Sequence, residues 1–423
     1  MIYILRDHQH ISRIQCIHPL THKKADLSIH DQMQLRVPVG MHRKGRGIAI
    51  KKTSLEEQMQ LRCLNLQNRI VLYIVFPVIP FQNGHLLLLL VCSAYCVFLI
   101  NLYSNSVAIN GKSVNIREEF QMRDNKIVTG VYSALVSPID QNGNLKKDVL
   151  CDLIDWQLAQ GLNGFYITGA TGEGCQMKKD ARMVLVETAL RHIAGRAPAV
   201  VHIASASFED AKEFAQQAYA AGAAALSATP PPTTAYSEEE LFEYYKELSS
   251  VCDLPFLVYA QKYFQQSSIV SFIDKLMALP NIAGLKYTRS SYYEMNQLTQ
   301  LGGRNINVIN GPDEMLLCGL VMGADGGIGS TYNVMPRQFR QLFDAYQTGD
   351  LKSAREIQES VNAVITVILR HGVIPTVKYM LTMLGFDVGE TEKPGKVFSS
   401  EEKAAIRQEL MAAGYDKMYP QAF

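Results

Sequence analysis

The sequence predicts an α/β chain dominated by one (β/α)8 TIM barrel. Three observations predict it. From Lys126 onward, short apolar runs alternate with amphipathic stretches eight times over roughly 225 residues, the length expected of that barrel. The apolar runs are continuous rather than alternating, as in strands buried on both faces. No glycine-rich phosphate loop follows the first run, although an open doubly wound sheet would normally carry one there.

Each element has its own signal. The first strand spans Ile127–Val136, with a turn at Asp140-Gln141-Asn142-Gly143 and a helix over 145–160 that ends at Gly161. Gly164–Thr168 is the second strand, with a helix over 178–194. Ala199–Ile203 is the third, and its helix opens at Ser207 with Asp210 at capping-box spacing. Ala223–Ala228 is the fourth, with Ser237 and Glu240 in the same relation. Pro255–Ala260 and Ile282–Tyr287 are the fifth and sixth, with helices over 267–279 and 291–301. Ile306–Asn310 and Asp325–Gly329 complete the set, with helices over 313–322 and 336–348. Three further helical patterns follow, over 350–371, 374–385 and 400–413. The expected organisation is an atypical N-terminal extension (1–121), the barrel (122–349) and a C-terminal helical segment (350–423).

Charge supports that division. The net charge of +1 hides an asymmetry: residues 1–121 hold 14 Lys and Arg against 7 Asp and Glu, and the remainder holds 27 against 33. The mildly acidic part gives no reason to expect a nucleic-acid partner. The eight cysteines form no CxxC pair, which points away from zinc and disulfides and toward a reducing, cytoplasmic compartment. His192, His202 and His371 have no ligand-spaced partners, so no metal site is expected.

The first 121 residues carry no sustained period. Gln-Met-Gln-Leu-Arg occurs at 32–36 and 58–62, which is too short for a structural repeat. The apolar runs Ile70–Phe81 and Leu86–Tyr103 leave three readings open: a membrane anchor, a hydrophobic hairpin, or a segment absent from the mature protein. The second run, at 18 residues, sits at the lower edge of a bilayer span. We favour the third reading. Met122 opens the patterned part, and Arg117-Glu118-Glu119 can be encoded by purine runs like those of a bacterial ribosome-binding site. A membrane partner is expected only if residues 70–103 are an anchor.

In a (β/α)8 barrel the active site lies at the C-terminal ends of the strands. Lys286 ends the sixth strand, with Thr288 two residues on. A buried amine of lowered pKa is the nucleophile that forms Schiff bases with carbonyl substrates. Tyr259 ends the fifth strand, where a phenol can move a proton. Thr168-Gly169-Ala170-Thr171-Gly172-Glu173-Gly174 follows the second strand and suits backbone approach to an anion. Asn310-Gly311-Pro312-Asp313-Glu314 follows the seventh, and a glycine-rich run through Gly329 and Ser330 follows the eighth. Each has an ordinary structural explanation alone: a solvated lysine, a core tyrosine, acidic residues complementing a helix dipole. Their convergence on one rim is what points to a site.

Gly-x-Thr-Gly-Glu at 169–173, Tyr259, Gly-Leu-Lys-x-Thr at 284–288 and the eighth-strand glycines together resemble the N-acetylneuraminate lyase and dihydrodipicolinate synthase family, over residues 126 to about 415. Asn310–Glu314 and Gly323–Asn333 look like its sialic acid lyase branch. The resemblance implies class I aldolase chemistry on a barrel with extra C-terminal helices, usually a homotetramer. It implies that Lys286 forms an imine with a 2-oxo acid and that Tyr259 shuttles the proton. It also implies that Thr171 and neighbouring backbone groups such as Gly172 bind the carboxylate, with Thr288 nearby, that Gly311, Asp313, Glu314 and Ser330 hold the sugar chain, and that Gly329 is among the substrate-binding residues. No cofactor is expected beyond that imine. The implied products are pyruvate and an aldose such as N-acetylmannosamine. Departures stand at Ala170, where the family carries a hydroxyl, at Tyr259-Ala260-Gln261-Lys262, and at Pro230–Tyr236. The synthase branch's arginine after the fifth-strand tyrosine is missing. Another pyruvate aldolase of the family, dihydrodipicolinate synthase included, and a non-catalytic 2-oxo acid binding or scaffold barrel stay open as alternatives.

Overall fold

Eight parallel strands close on themselves in chain order in a computed structural model that describes residues 126–231, 236–261 and 268–423. Apart from the backbone of a few short strands, residues 1–125 lie outside the described residues, and so do the expectations for the apolar runs there. The strands are β1 Gly130–Ala134, β2 Gly164–Ile167, β3 Ala199–His202, β4 Ala225–Ala228, β5 Phe256–Ala260, β6 Ile282–Tyr287, β7 Asn307–Asn310 and β8 Gly326–Gly329. The helices between and after them are α1 Lys147–Ala159, α2 Lys179–Ile193, α3 Phe208–Ala220, α4 Glu238–Ser249, α5 Ile269–Leu276, α6 Tyr292–Leu298, α7 Leu316–Val321 and α8 Pro336–Gln347. The (β/α)8 barrel read from the sequence is the fold.

Closure depends on β8 lying against β1, with Gly326 opposite Gly130 and Gly329 opposite Ser133. A Cβ on Gly326 would stand 2.0 Å from the Gly130 carbonyl oxygen, so only glycine fits at this seam. Strand side chains divide between two cores. Val131, Phe165, Ile167, Val201, Leu226, Phe256, Val258 and Leu285 face the helices, whose apolar stripes cover them. Tyr132, Tyr166, Val200, Leu257, Tyr259, Ile309 and Ile328 fill the barrel interior.

The first strand is shorter than its apolar run suggests. Residues 127–129 cross the floor of the barrel instead, and Val128 is buried there with the interior residues. Asn307 holds it: its Oδ1 accepts from the Val128 N–H at 2.9 Å, and its amide donates to the Val128 carbonyl at 3.0 Å. Asp325 completes the floor. It pairs with Lys126 at 2.5 Å and accepts from the Asn307 amide at 2.8 Å and the Val308 N–H at 3.0 Å.

Helix starts follow their caps. Ser237 and Glu240 form a full capping box, whereas Ser207 accepts from the Asp210 N–H and the Asp210 carboxylate turns to Lys179. The expected helix over 291–301 stops at Leu298, and Gly302 and Gly303, at φ +55° and +65°, turn the chain into a short 3-10 segment. The expected helix over 313–322 divides into a 3-10 turn, Asp313–Met315, and α7.

The C-terminal segment contains α9 Leu351–His371, α10 Val373–Met383, α11 Ser400–Ala412 and a short α12 Tyr415–Met418 that the pattern did not reveal. Among the described residues no single helix is long and apolar enough to cross a membrane, and α9 and α10 bend by 118° at Gly372.

The floor makes a stability prediction. Asp325→Ala leaves the Asn307 amide and the Val308 N–H without their shared acceptor, at a cost of about 2–4 kcal/mol. Urea unfolding checks it, and a change within experimental error would refute the floor's role.

Candidate active site

Residues alternate along β6, so the outward-facing Leu285 and Tyr287 turn Lys286 into the barrel mouth. Lys286 is 5% exposed. Its Nζ lies 4.4 Å from the centre of the Tyr259 ring and 4.5 Å from that of Tyr166. Tyr259 stands directly opposite Lys286 in the β5–β6 register. The two rings meet edge to face, with centres 6.0 Å apart. No carboxylate forms an ion pair with Lys286 among the described residues, so two π faces stand where a counter-ion would otherwise be expected.

Behind these rings lies a layer that the sequence did not disclose. Tyr166 donates from its hydroxyl to Ser227 Oγ on β4, at 3.0 Å. The His202 ring stacks edge-on to Tyr259, with centres 6.0 Å apart. His202 Nδ1 donates to the Thr168 carbonyl at 3.2 Å, and Nε2 accepts the Thr229 N–H at 3.3 Å, which fixes a neutral imidazole. Burial, and then the charge of Arg182, push its pKa down to about 3. The buried Arg182 guanidinium donates to the carbonyls of Ala204 (2.9 Å) and His202 (2.5 Å) and sits over the Phe214 ring. It thereby ties the end of β3 to α2. His202 was legible only as a lone strand histidine, because partners 34 residues away in sequence carry its meaning.

The loop after β2 is tightly specified. Thr168 and Glu173 both adopt left-handed backbone, at φ +55° and +52°. Ser137 donates to the Gly172 carbonyl at 2.6 Å, and a Cβ on Gly172 would approach the Leu135 carbonyl oxygen to 2.9 Å. Thr171 Oγ1 is 2.7 Å from Ser330 Oγ, which joins this loop to the loop after β8. Ala170 is exposed on the loop and has no hydroxyl to offer.

The loops after β7 and β8 are joined by Asp313. Its Oδ2 accepts from both the N–H (2.8 Å) and the hydroxyl (2.7 Å) of Thr331. Burial raises its carboxyl to about 7, against the hydrogen bonds from Thr331 and the more distant charge of Lys286, while Glu314 adds to the rise. A Cβ on Gly329 would stand 2.2 Å from Asp313 Oδ1. This glycine is the space that the carboxyl occupies. Thr288 Oγ1 is buried without a hydrogen-bond partner, and a Cβ on Gly311 would stand 1.9 Å from it.

Thr288, Gly311, Asp313, Glu314 and Ser330 line one cavity of about 850 Å³, large enough for a small sugar acid. Thr171 does not line it but hydrogen-bonds to Ser330, which does, and Lys286 and Tyr259 are not among its lining residues and stand in the barrel mouth. Among the described residues no group of His, Cys, Asp and Glu is arranged to hold a metal ion. The altered loop at 230–236 and the stretch after Gln261 lie partly outside the described residues.

A buried primary amine between aromatic rings, with hydroxyls at the rim, suits covalent capture of a carbonyl compound carrying polar groups. The model of the Dihydrodipicolinate synthetase family matches residues 127–413. N-acetylneuraminate lyase of Rhizobium meliloti is 32% identical over 279 residues, covering 66% of this chain and 93% of that protein. N-acetylneuraminate lyase of Citrobacter koseri is 31% identical over 294 residues, covering 68% and 98%. Among solved structures, N-acetylneuraminate lyase from Mycoplasma synoviae superposes with a TM-score of 0.64 at 27% identity, covering 70% of this chain and 99% of that one. CdNal from Clostridium difficile, in complex with mannosamine, gives 0.64 at 27%, covering 68% and 99%. The chain is an enzyme of the class I aldolase type, a carbon–carbon lyase, and it belongs to the dihydrodipicolinate synthetase family.

Proposed function

We propose that this aldolase cleaves a 2-oxo sugar acid such as N-acetylneuraminate to pyruvate and N-acetylmannosamine through an imine on Lys286. The observation that carries the proposal is the Lys286 amine, buried in the barrel mouth between the faces of Tyr166 and Tyr259 and without an ion pair among the described residues. The names of the relatives support the choice of sugar acid.

The chemistry follows from those positions. The amine adds to the C2 carbonyl and water leaves, which forms a protonated imine. A base removes the proton of the C4 hydroxyl. The C3–C4 bond then breaks, its electron pair moves toward the imine to give an enamine, and the aldehyde departs. Protonation at C3 and hydrolysis release pyruvate and restore Lys286. Tyr259, whose ring touches Nζ, is the group we assign to the proton transfers. Thr171 and the backbone at Gly172 would take the carboxylate, with Thr288 offering its unpartnered hydroxyl. Gly311, Asp313, Glu314 and Ser330 line the space for the sugar chain, where Gly329 makes room for Asp313. Every step is completed by this chain's side chains and the substrate, so the proposal needs no cofactor. It also takes the enzyme as a cytoplasmic homotetramer.

Three expectations test this reading. First, a coupled assay should detect pyruvate released from N-acetylneuraminate. Condensation of pyruvate with aspartate semialdehyde, without such release, would move the assignment to the synthase branch. Second, Lys286→Arg should lower turnover by on the order of a thousandfold or more. Tyr259→Phe should lower it by about 10²–10⁴. Retained turnover in either variant refutes that residue's role.

Third, Asp313 carries a pH signature. Its carboxyl titrates near 7 when folded and near about 4 when unfolded, so the protonated form favours folding. That contribution is complete below the unfolded value and lost as pH rises through the folded one. The stability of the wild type relative to Asp313→Asn should therefore fall between about pH 4 and pH 7 and level off above. Urea midpoints across that range check it, and a constant difference contradicts it.

A further inference from the structure

Glu173, the last residue of the Gly-x-Thr-Gly-Glu motif, points away from the cavity. Its Oε2 lies 2.6 Å from Lys378 Nζ on α10, and the two side chains are only 3% and 2% exposed. Each partner has a second bond to the same stretch of chain. Glu173 Oε1 accepts the Glu392 N–H at 2.8 Å, and Lys378 Nζ donates to the Glu390 carbonyl at 2.8 Å. Taking two charges out of water costs several kcal/mol for each ion, so such a pair is a poor device for stability alone. Here it holds a residue in left-handed backbone, at φ +52°, directly beside Thr171 and Gly172. The opposite side of the loop is fixed by Ser137 and Ser330.

We infer that the Glu173–Lys378 pair is a positioning device through which the C-terminal helical segment sets the backbone and hydroxyl donors of the Thr171 loop for the substrate carboxylate. The inference rests on the proposed reading of that loop. Neither residue touches the reacting atoms. Removing the pair therefore lets the loop relax, weakens capture of a carboxylate, and leaves the chemistry at Lys286 in place.

The test uses the full chain, borohydride trapping on Lys286 and two ketones. Pyruvate carries the carboxylate and hydroxyacetone lacks it. In Lys378→Gln and Glu173→Gln, the half-saturating concentration of pyruvate should rise about tenfold or more, while that of hydroxyacetone stays within about twofold. The trapping rate at saturating pyruvate should be nearly unchanged. Should a single variant fail to fold, the double variant Glu173→Gln/Lys378→Gln, which buries no charge, carries the same comparison. Equal shifts for both ketones, or no shift for pyruvate, overturn the positioning role. Failure of the double variant to fold also overturns it, because the pair would then be needed for folding itself. A wild-type protein that traps neither ketone overturns the reading of Lys286 and, with it, this inference.

Discussion

Closing eight short strands into one ring is the constraint on which everything else depends. It brings β8 against β1 at a seam where Gly326 admits the Gly130 carbonyl. It also directs every strand's C-terminal end to one rim. Thr288, Asp313 and Ser330, from three separate loops, then line one cavity, and Thr171 from a fourth is bonded to Ser330. Three of these loops are tied to one another, Thr171 to Ser330 and Asp313 to Thr331, so the mouth is braced across strands rather than along the chain.

The same closure explains how an amine stays within the barrel. Lys286 has aromatic faces on two sides, and the phenol of Tyr166 is pinned by Ser227. His202 sits behind Tyr259 as a neutral ring, because Nδ1 and Nε2 are both committed to backbone groups and burial disfavours the cation. A charged imidazole at that depth would oppose the Lys286 charge. The interior therefore keeps neutral rings beneath the Lys286 amine, while Arg182 directs its charge to the carbonyls at the end of β3.

Much of this was legible in the sequence, and the illegible part has a common cause. Lys286, Tyr259 and Thr171 were visible because each follows a buried apolar run, and the end of a barrel strand is the place for chemistry. The apolar pattern overstates the first strand because Ile127 and Val128 are as apolar as strand residues, although they cross the floor under Asn307 and Asp325. The pattern after β7 suggests one helix, yet the acidic pair Asp313-Glu314 occupies a 3-10 turn that aims the Asp313 carboxyl at Thr331. The motif alone gives Glu173 no role. Its partners are the Glu392 N–H, 219 residues away, and Lys378 on α10, and no local pattern encodes such pairings.

The central claim is that the amine of Lys286 is the nucleophile. Borohydride reduction in the presence of pyruvate, followed by peptide mass mapping, tests it most directly. One reduced pyruvyl adduct on the peptide containing Lys286, and none in Lys286→Arg, is the predicted result. An unmodified Lys286 peptide at saturating pyruvate, or an adduct on another lysine, would contradict the account.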